Sequence, residues 1–186
     1  KDKAVILDNL SNSKLDFKNK IPKAKVYIKD ASTKNLRKIF KENNIKSVLG
    51  NHDLHMLAIL IGAKKHNKKK DTLQKVISKN KSLDIIDHFL KYPFAKVLSN
   101  DNKKTLVVHA GILPNWKLSD VQSANDELVA ELRSDPEKFL TTMYSDRGKA
   151  ISKSTNKLNR RRYLVNVFTR MRFITPQNKL DLKTKL

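Results

Sequence analysis

Two places in the chain put reactive side chains where an apolar run stops. Val48-Leu49 ends in Gly50-Asn51-His52-Asp53, and an apolar, helix-compatible run follows from Leu54 to Ile61. Far downstream, Thr105-Leu106-Val107-Val108 ends in His109-Ala110-Gly111. A strand, a tight loop and a helix present polar groups at the edge where open α/β folds bind ligands. Two strand ends, each delivering an imidazole, read as halves of one site. Each residue also has a plainer use. Asp53 can cap the following helix, His52 can hydrogen-bond within its loop, and His109 can be a satisfied strand-end histidine.

Positioning these residues requires an alternating set of elements. Val5-Ile6-Leu7 and Val26-Tyr27-Ile28 read as short buried strands, the second followed by Lys29-Asp30. Leu36, Ile39 and Phe40 share one face of a helix over Asn35 to Lys41. Lys46 to Leu49 is then the strand entering Gly50, giving a βαβ-like alternation. The helix from Leu54 closes at Gly62, and Ala63 to Lys70 is a loop. Thr72 to Ser78 and Leu83 to Leu90 read as short helices, the latter ended by Tyr92-Pro93. Ala95 to Leu98 and Thr105 to Val108 form a hairpin around Ser99 to Lys104. A helix opens at Leu118-Ser119-Asp120 and runs to Ser134, and Asp135-Pro136-Glu137 starts the next. Gly148 to Asn159 is polar and irregular, whereas Tyr163 to Phe168 is apolar and expected to be buried. Trp116 is expected to pack under a loop.

Composition narrows the class. At 186 residues and 39% hydrophobic content, one domain over 1–186 with a real core is expected. Lys and Arg number 40 against 18 Asp and Glu, a formal charge of +22. Such an excess repels itself in a compact fold unless a polyanion neutralises it, so RNA or a ribonucleoprotein is the first partner to consider. Lys64, Lys65, Lys68, Lys69 and Lys70, with Arg160, Arg161 and Arg162, are the candidate phosphate-contacting clusters. Aromatics near them are sparse, so backbone contact without sequence reading is the expected mode. There is no cysteine, which excludes disulfides and thiolate metal sites. No apolar run reaches the ~20 residues that span a bilayer, and no membrane partner is expected.

Leu49-Gly50-Asn51-His52-Asp53-Leu54-His55, the segment from Val108 to Trp116, and Asn166-Val167-Phe168-Thr169-Arg170-Met171-Arg172-Phe173 occur in an informative order. Together with Met143-Tyr144 they resemble the symmetrical bis(5'-nucleosyl)-tetraphosphatases, a branch of the calcineurin-like metallophosphoesterases. The resemblance is clear over 48–183, and residues 1–47 are divergent. It implies an α/β (α+β) fold, the αββα sandwich of that superfamily, here truncated at its C-terminal end. It further implies a site for two divalent ions such as Mn²⁺ or Co²⁺. Asn51 and His109 match ligands of one metal, and Asp8 and Asp30 stand where further carboxylate ligands belong. His52 and Asp53 are the candidate catalytic residues, His52 matching the histidine that protonates the leaving group. Arg170 and Arg172 are candidates for the substrate phosphates, since guanidinium forks suit phosphate oxygens.

The chain departs from that family at the other ligand motifs. Where the family has Gly-Asp-x-His-Gly, this chain reads Leu7-Asp8-Asn9-Leu10-Ser11, and the isobutyl group of Leu10 cannot coordinate a metal. Lys29 stands in place of a glycine before Asp30, and the arginine-glycine pair that should follow is missing. A Gly-His motif expected beyond the arginine-rich segment does not occur before Leu186. The resulting expectation is a degenerate, catalytically inactive relative without metal. It would serve as a basic structural or RNA-binding subunit of a ribonucleoprotein, such as a mitochondrial ribosome. The alternative is an active metal-dependent enzyme of the bacterial cytoplasm, hydrolysing diadenosine tetraphosphate to two ADP.

Overall fold

The computed structural model describes residues 5–8, 25–28, 47–67, 82–100, 103–143, 150 and 155–184. The chain divides into two compact units, Lys1–Lys46 and Ser47–Leu186, next to the point where the family-like sequence begins. In the first unit β1 (Val5–Asp8) and β2 (Lys25–Ile28) pair in parallel, Val5 opposite Lys25 and Asp8 opposite Ile28. Both strands grow from the apolar triplets read in the sequence. The helices expected over Asn35 to Lys41 and Thr72 to Ser78 lie outside the described residues.

The second unit mixes helix and sheet. Its elements are α1 (Asn51–Leu60), α2 (Ser82–Phe89), β3 (Ala95–Asn100), β4 (Lys103–Val108), α3 (Leu118–Ser134), α4 (Pro136–Thr142), α5 (Lys157–Thr169), β5 (Phe173–Ile174) and β6 (Leu180–Asp181). The α3 helix carries a clear stripe: Val121, Ala124, Leu128 and Leu132 are its buried residues, spaced to share one face. Beneath that face lie Phe94, Phe139 and Phe168, all fully buried. Trp116 packs on Phe168 with ring centroids 5.8 Å apart, as its place under a loop required.

The apolar run from Tyr163 to Phe168 is buried as expected, and its form is helical. Within α5 every residue from Tyr163 to Thr169 is buried, which marks a helix surrounded by protein on all sides. Its polar members are satisfied. Thr169 Oγ1 donates to Val165 O at 2.7 Å, and Asn166 Oδ1 accepts from Arg170 Nη1 at 3.1 Å. The helix begins at Lys157 because Asn156 Oδ1 accepts the Asn159 amide at 2.9 Å. The irregular stretch expected to reach Asn159 therefore ends earlier. A similar device starts α4, where Asp135 Oδ1 accepts the Lys138 amide at 3.0 Å and Pro136 occupies the first turn.

The expected hairpin is present with each strand two residues longer than read, β3 antiparallel to β4, Ala95 opposite Val108 and Asn100 opposite Lys103. It is clamped to α3 by a single side chain. Asn125 Oδ1 accepts the amides of Phe94 at 2.9 Å and Ala95 at 3.0 Å. Arg133, also on α3, donates from Nε to Leu90 O and from Nη2 to Lys91 O, each at 3.0 Å, and so caps the end of α2. A last hairpin, β5 with β6, was not anticipated from the sequence. Its turn places Asn178 at φ 56°, a left-handed conformation that asparagine tolerates.

Candidate active site

The Gly50 to Asp53 segment differs from the expected loop. Residues 47–50 form no strand, and the helix starts at Asn51 rather than Leu54. Leu49 N donates to Pro93 O at 2.8 Å, just before β3. The Ala95 amide that follows is taken by Asn125. Asp53 then draws the helix forward. Its Oδ2 accepts the Gly50 N–H at 2.8 Å, closing a turn with Gly50 as the N-cap. Leu54, Met56, Leu57, Ala58 and Ile59 anchor the rest of α1 in the core.

His109 follows the last residue of β4. Although 58 positions separate them, His109 Nε2 donates to Asn51 Oδ1 at 3.0 Å. The imidazole lies flat enough on the chain that a β-carbon on Gly50 would stand 2.7 Å from Nδ1 and 2.8 Å from Cε1. Only glycine admits the ring there. From the other side, Ala110 N donates to Phe168 O at 2.8 Å. A β-carbon on Gly111 would meet Met171 Cε at 2.7 Å, so the end of α5 seats closely on this loop.

Electrostatics follow from the crowding. Burial pushes the His109 imidazolium below its usual range; Asp53 opposes that, and His52 and Arg172 reinforce it. Asp53 is raised, chiefly by burial, against the Gly50 amide and the two imidazoles, which favour its charged form. A neutral His109 is the form that ligates a cation. With that ring nitrogen deprotonated, Nε2 and Asn51 Oδ1 would be two donors able to hold one cation. Among the described residues, no group of three His, Cys, Asp or Glu side chains gathers around a metal position. Asp8 closes β1 in the other unit, and Asp30 lies outside the described residues.

The arginines separate into two kinds. Arg172 is exposed, and its charge reaches His109. Arg170 is half-buried and bound to Asn166. The triplet Arg160, Arg161 and Arg162, expected as a phosphate-contacting arm, is engaged within the second unit. Consecutive residues on a helix point to different sides, and here each meets a protein acceptor. Arg160 grips Glu127 with Nε and Nη2, Nη2 reaching Oε2 at 2.9 Å. Arg161 donates to Glu131 at 3.1 Å and Thr142 Oγ1 at 2.7 Å, over the Phe139 ring. Arg162 Nε donates to Thr142 O at 2.9 Å. Lys64 and Lys65 are exposed, and Lys68, Lys69 and Lys70 lie outside the described residues.

Sequence reading overlooked Asn125 and Tyr92. Nothing in a mid-helix asparagine announces that it will tie down two amides. Tyr92 lies close enough to Asp53 that the carboxylate's charge adds to burial in raising its phenol; its only signal was the proline after it.

The described residues thus bring together an asparagine, an imidazole and the charge of an exposed arginine. The chain is a homologue of the symmetrical bis(5'-nucleosyl)-tetraphosphatases. It is 35% identical over 144 residues to proteins of that name from Klebsiella pneumoniae, Salmonella newport and Salmonella agona. The match takes in 77% of this chain and 50% of each relative. The chain thus spans about half the length of the curated relatives it matches. No protein-family model matches it.

Proposed function

We propose that this chain carries the asparagine–histidine half of a metal-dependent hydrolase that splits diadenosine tetraphosphate into two ADP. The observation that carries this reading is the 3.0 Å meeting of His109 Nε2 with Asn51 Oδ1 in a homologue of proteins named for that reaction. The framework would be the αββα sandwich of the calcineurin-like superfamily. Asn51 and His109 would hold one divalent ion, Mn²⁺ or Co²⁺. When bound, the metal supplies Lewis acidity at phosphorus and a nucleophile at neutral pH. The chain's own groups do the rest. His52, exposed on the first turn of α1, holds the proton for the departing phosphate oxygen. Arg172 offers its guanidinium to the phosphate chain, and Arg170 forms the wall behind it.

The competing reading, a degenerate basic subunit facing RNA in an organellar ribosome, is favoured by Leu10, Lys29 and the +22 charge. The relatives' name and bacterial origin support the hydrolase and a bacterial setting instead. Among the described residues no helix is long and apolar enough to cross a membrane. The deciding assay is ADP release from diadenosine tetraphosphate with Mn²⁺ or Co²⁺. Metal-dependent release that disappears in His52→Ala is the expected result. Absence of turnover with either metal, alongside salt-sensitive RNA binding, would favour the basic subunit.

A further inference from the structure

The hydrolase reading gives Asn51, His52 and His109 distinct tasks and names Asp53 beside them without a step of its own. Its carboxylate does have a fixed engagement: Oδ2 accepts the Gly50 N–H at 2.8 Å. That bond holds Gly50 extended, at φ −105° and ψ 175°. The α-carbon so placed is the wall against which His109 rests, since a β-carbon there would stand 2.7 Å from Nδ1, 2.8 Å from Cε1 and 3.0 Å from Cγ. Nε2, next to Cε1 in the ring, meets Asn51 Oδ1 at 3.0 Å. The backbone beyond it is fastened by Ala110 N to Phe168 O at 2.8 Å. The imidazole therefore has a tethered backbone, a wall and a partner, and the wall stands where the Asp53 carboxylate puts it.

We propose that Asp53 is a positioning residue for His109, acting through Gly50 to keep the imidazole seated with Nε2 on Asn51. The inference rests on the hydrolase reading only in treating Nε2 as a metal donor. Asp53 touches no reacting atom in this scheme. Its effect passes along one hydrogen bond and one van der Waals contact.

The test uses the whole chain with ¹⁵N-labelled histidine, comparing Asp53→Ala and Asp53→Asn by ring cross-peaks and by calorimetric titration with Mn²⁺. Asparagine keeps an oxygen for the Gly50 N–H and removes the charge; alanine removes both. In Asp53→Ala the His109 ring signals move, and Mn²⁺ binding weakens by about 10-fold or more, the cost typical of losing a group that orients a ligand. Asp53→Asn restores the ring signals and most of the affinity. Unmoved His109 signals in the alanine variant overturn the inference, as does equal displacement in both variants, which would assign the effect to charge. If Asp53→Ala does not fold, Gly50→Ala takes its place. With Asp53 intact it displaces the His109 signals, and unmoved signals there refute the wall. A wild-type chain that binds no Mn²⁺ would count against the hydrolase reading, while the ring signals would still decide this one.

Discussion

Replacing Asn125 with alanine isolates the clamp between α3 and the hairpin that delivers His109. One oxygen accepts two backbone amides, from Phe94 at 2.9 Å and Ala95 at 3.0 Å, both residues being buried. Removing it strands both donors, and each buried unsatisfied group costs about 1–3 kcal/mol. Full desolvation of both would then cost roughly 2–6 kcal/mol. The low end applies, because an open groove lined by Pro93, Ala95, Val121 and Asn125 itself admits water once the side chain is cut back. A loss of about 2–3 kcal/mol corresponds to a melting temperature lower by roughly 4–12 °C in a chain of this size. Asn125→Asp keeps an acceptor oxygen and should recover most of the loss. Gln122→Ala, exposed on the same helix, should stay within about 0.5 kcal/mol of wild type. Urea unfolding followed by circular dichroism measures all three. An Asn125→Ala midpoint equal to that of Gln122→Ala would refute the reasoning, since the amides would then have found other partners at no cost.

Arg160→Ala should lower stability by no more than about 1 kcal/mol, because the Glu127 pair is partly solvated, and the loss should shrink in high salt. If the chain binds RNA, Arg160→Ala should leave the salt slope unchanged, whereas Lys64→Ala should reduce it by about one, measured by fluorescence anisotropy. The pH profile of stability has two signed components. Asp53, raised on folding, contributes stability that is present below its unfolded pKa and lost as pH rises through its folded value. His109, depressed on folding, contributes stability present above its unfolded pKa and lost as pH falls through its folded value. Asp53→Asn should erase the first component and His109→Gln the second, read from urea midpoints across the pH range.

Local pattern carried much of the second unit. The stripe Val121, Ala124, Leu128 and Leu132 marks α3 because a buried face repeats every three to four residues. Alternation and turn-forming residues marked the β3–β4 hairpin. Asp135 before Pro136 marked the start of α4 by the same local logic. The order of the motifs around Asn51, His109 and Arg170 identified the homology. The start of α1 was not legible, since a strand beside Pro93 and a helix capped through Asp53 compete for Gly50. In the fold the helix has it: Asp53 Oδ2 takes the Gly50 amide, and residues 47–50 form no strand. Likewise Arg160-Arg161-Arg162 reads as a free cationic run until α3 brings Glu127 and Glu131 alongside.

By itself, the sequence determined the helix-and-sheet mixture, the hairpin, the start of α4 and the ancestry, all of which depend on neighbours within a few positions or on motif order. Only the tertiary structure decided that Asn51 and His109, 58 residues apart, meet at 3.0 Å. It also decided that glycine at position 50 is what lets the ring approach. The physical reason is that local preference acts along the chain, whereas a site is made by the packing that brings distant stretches into contact.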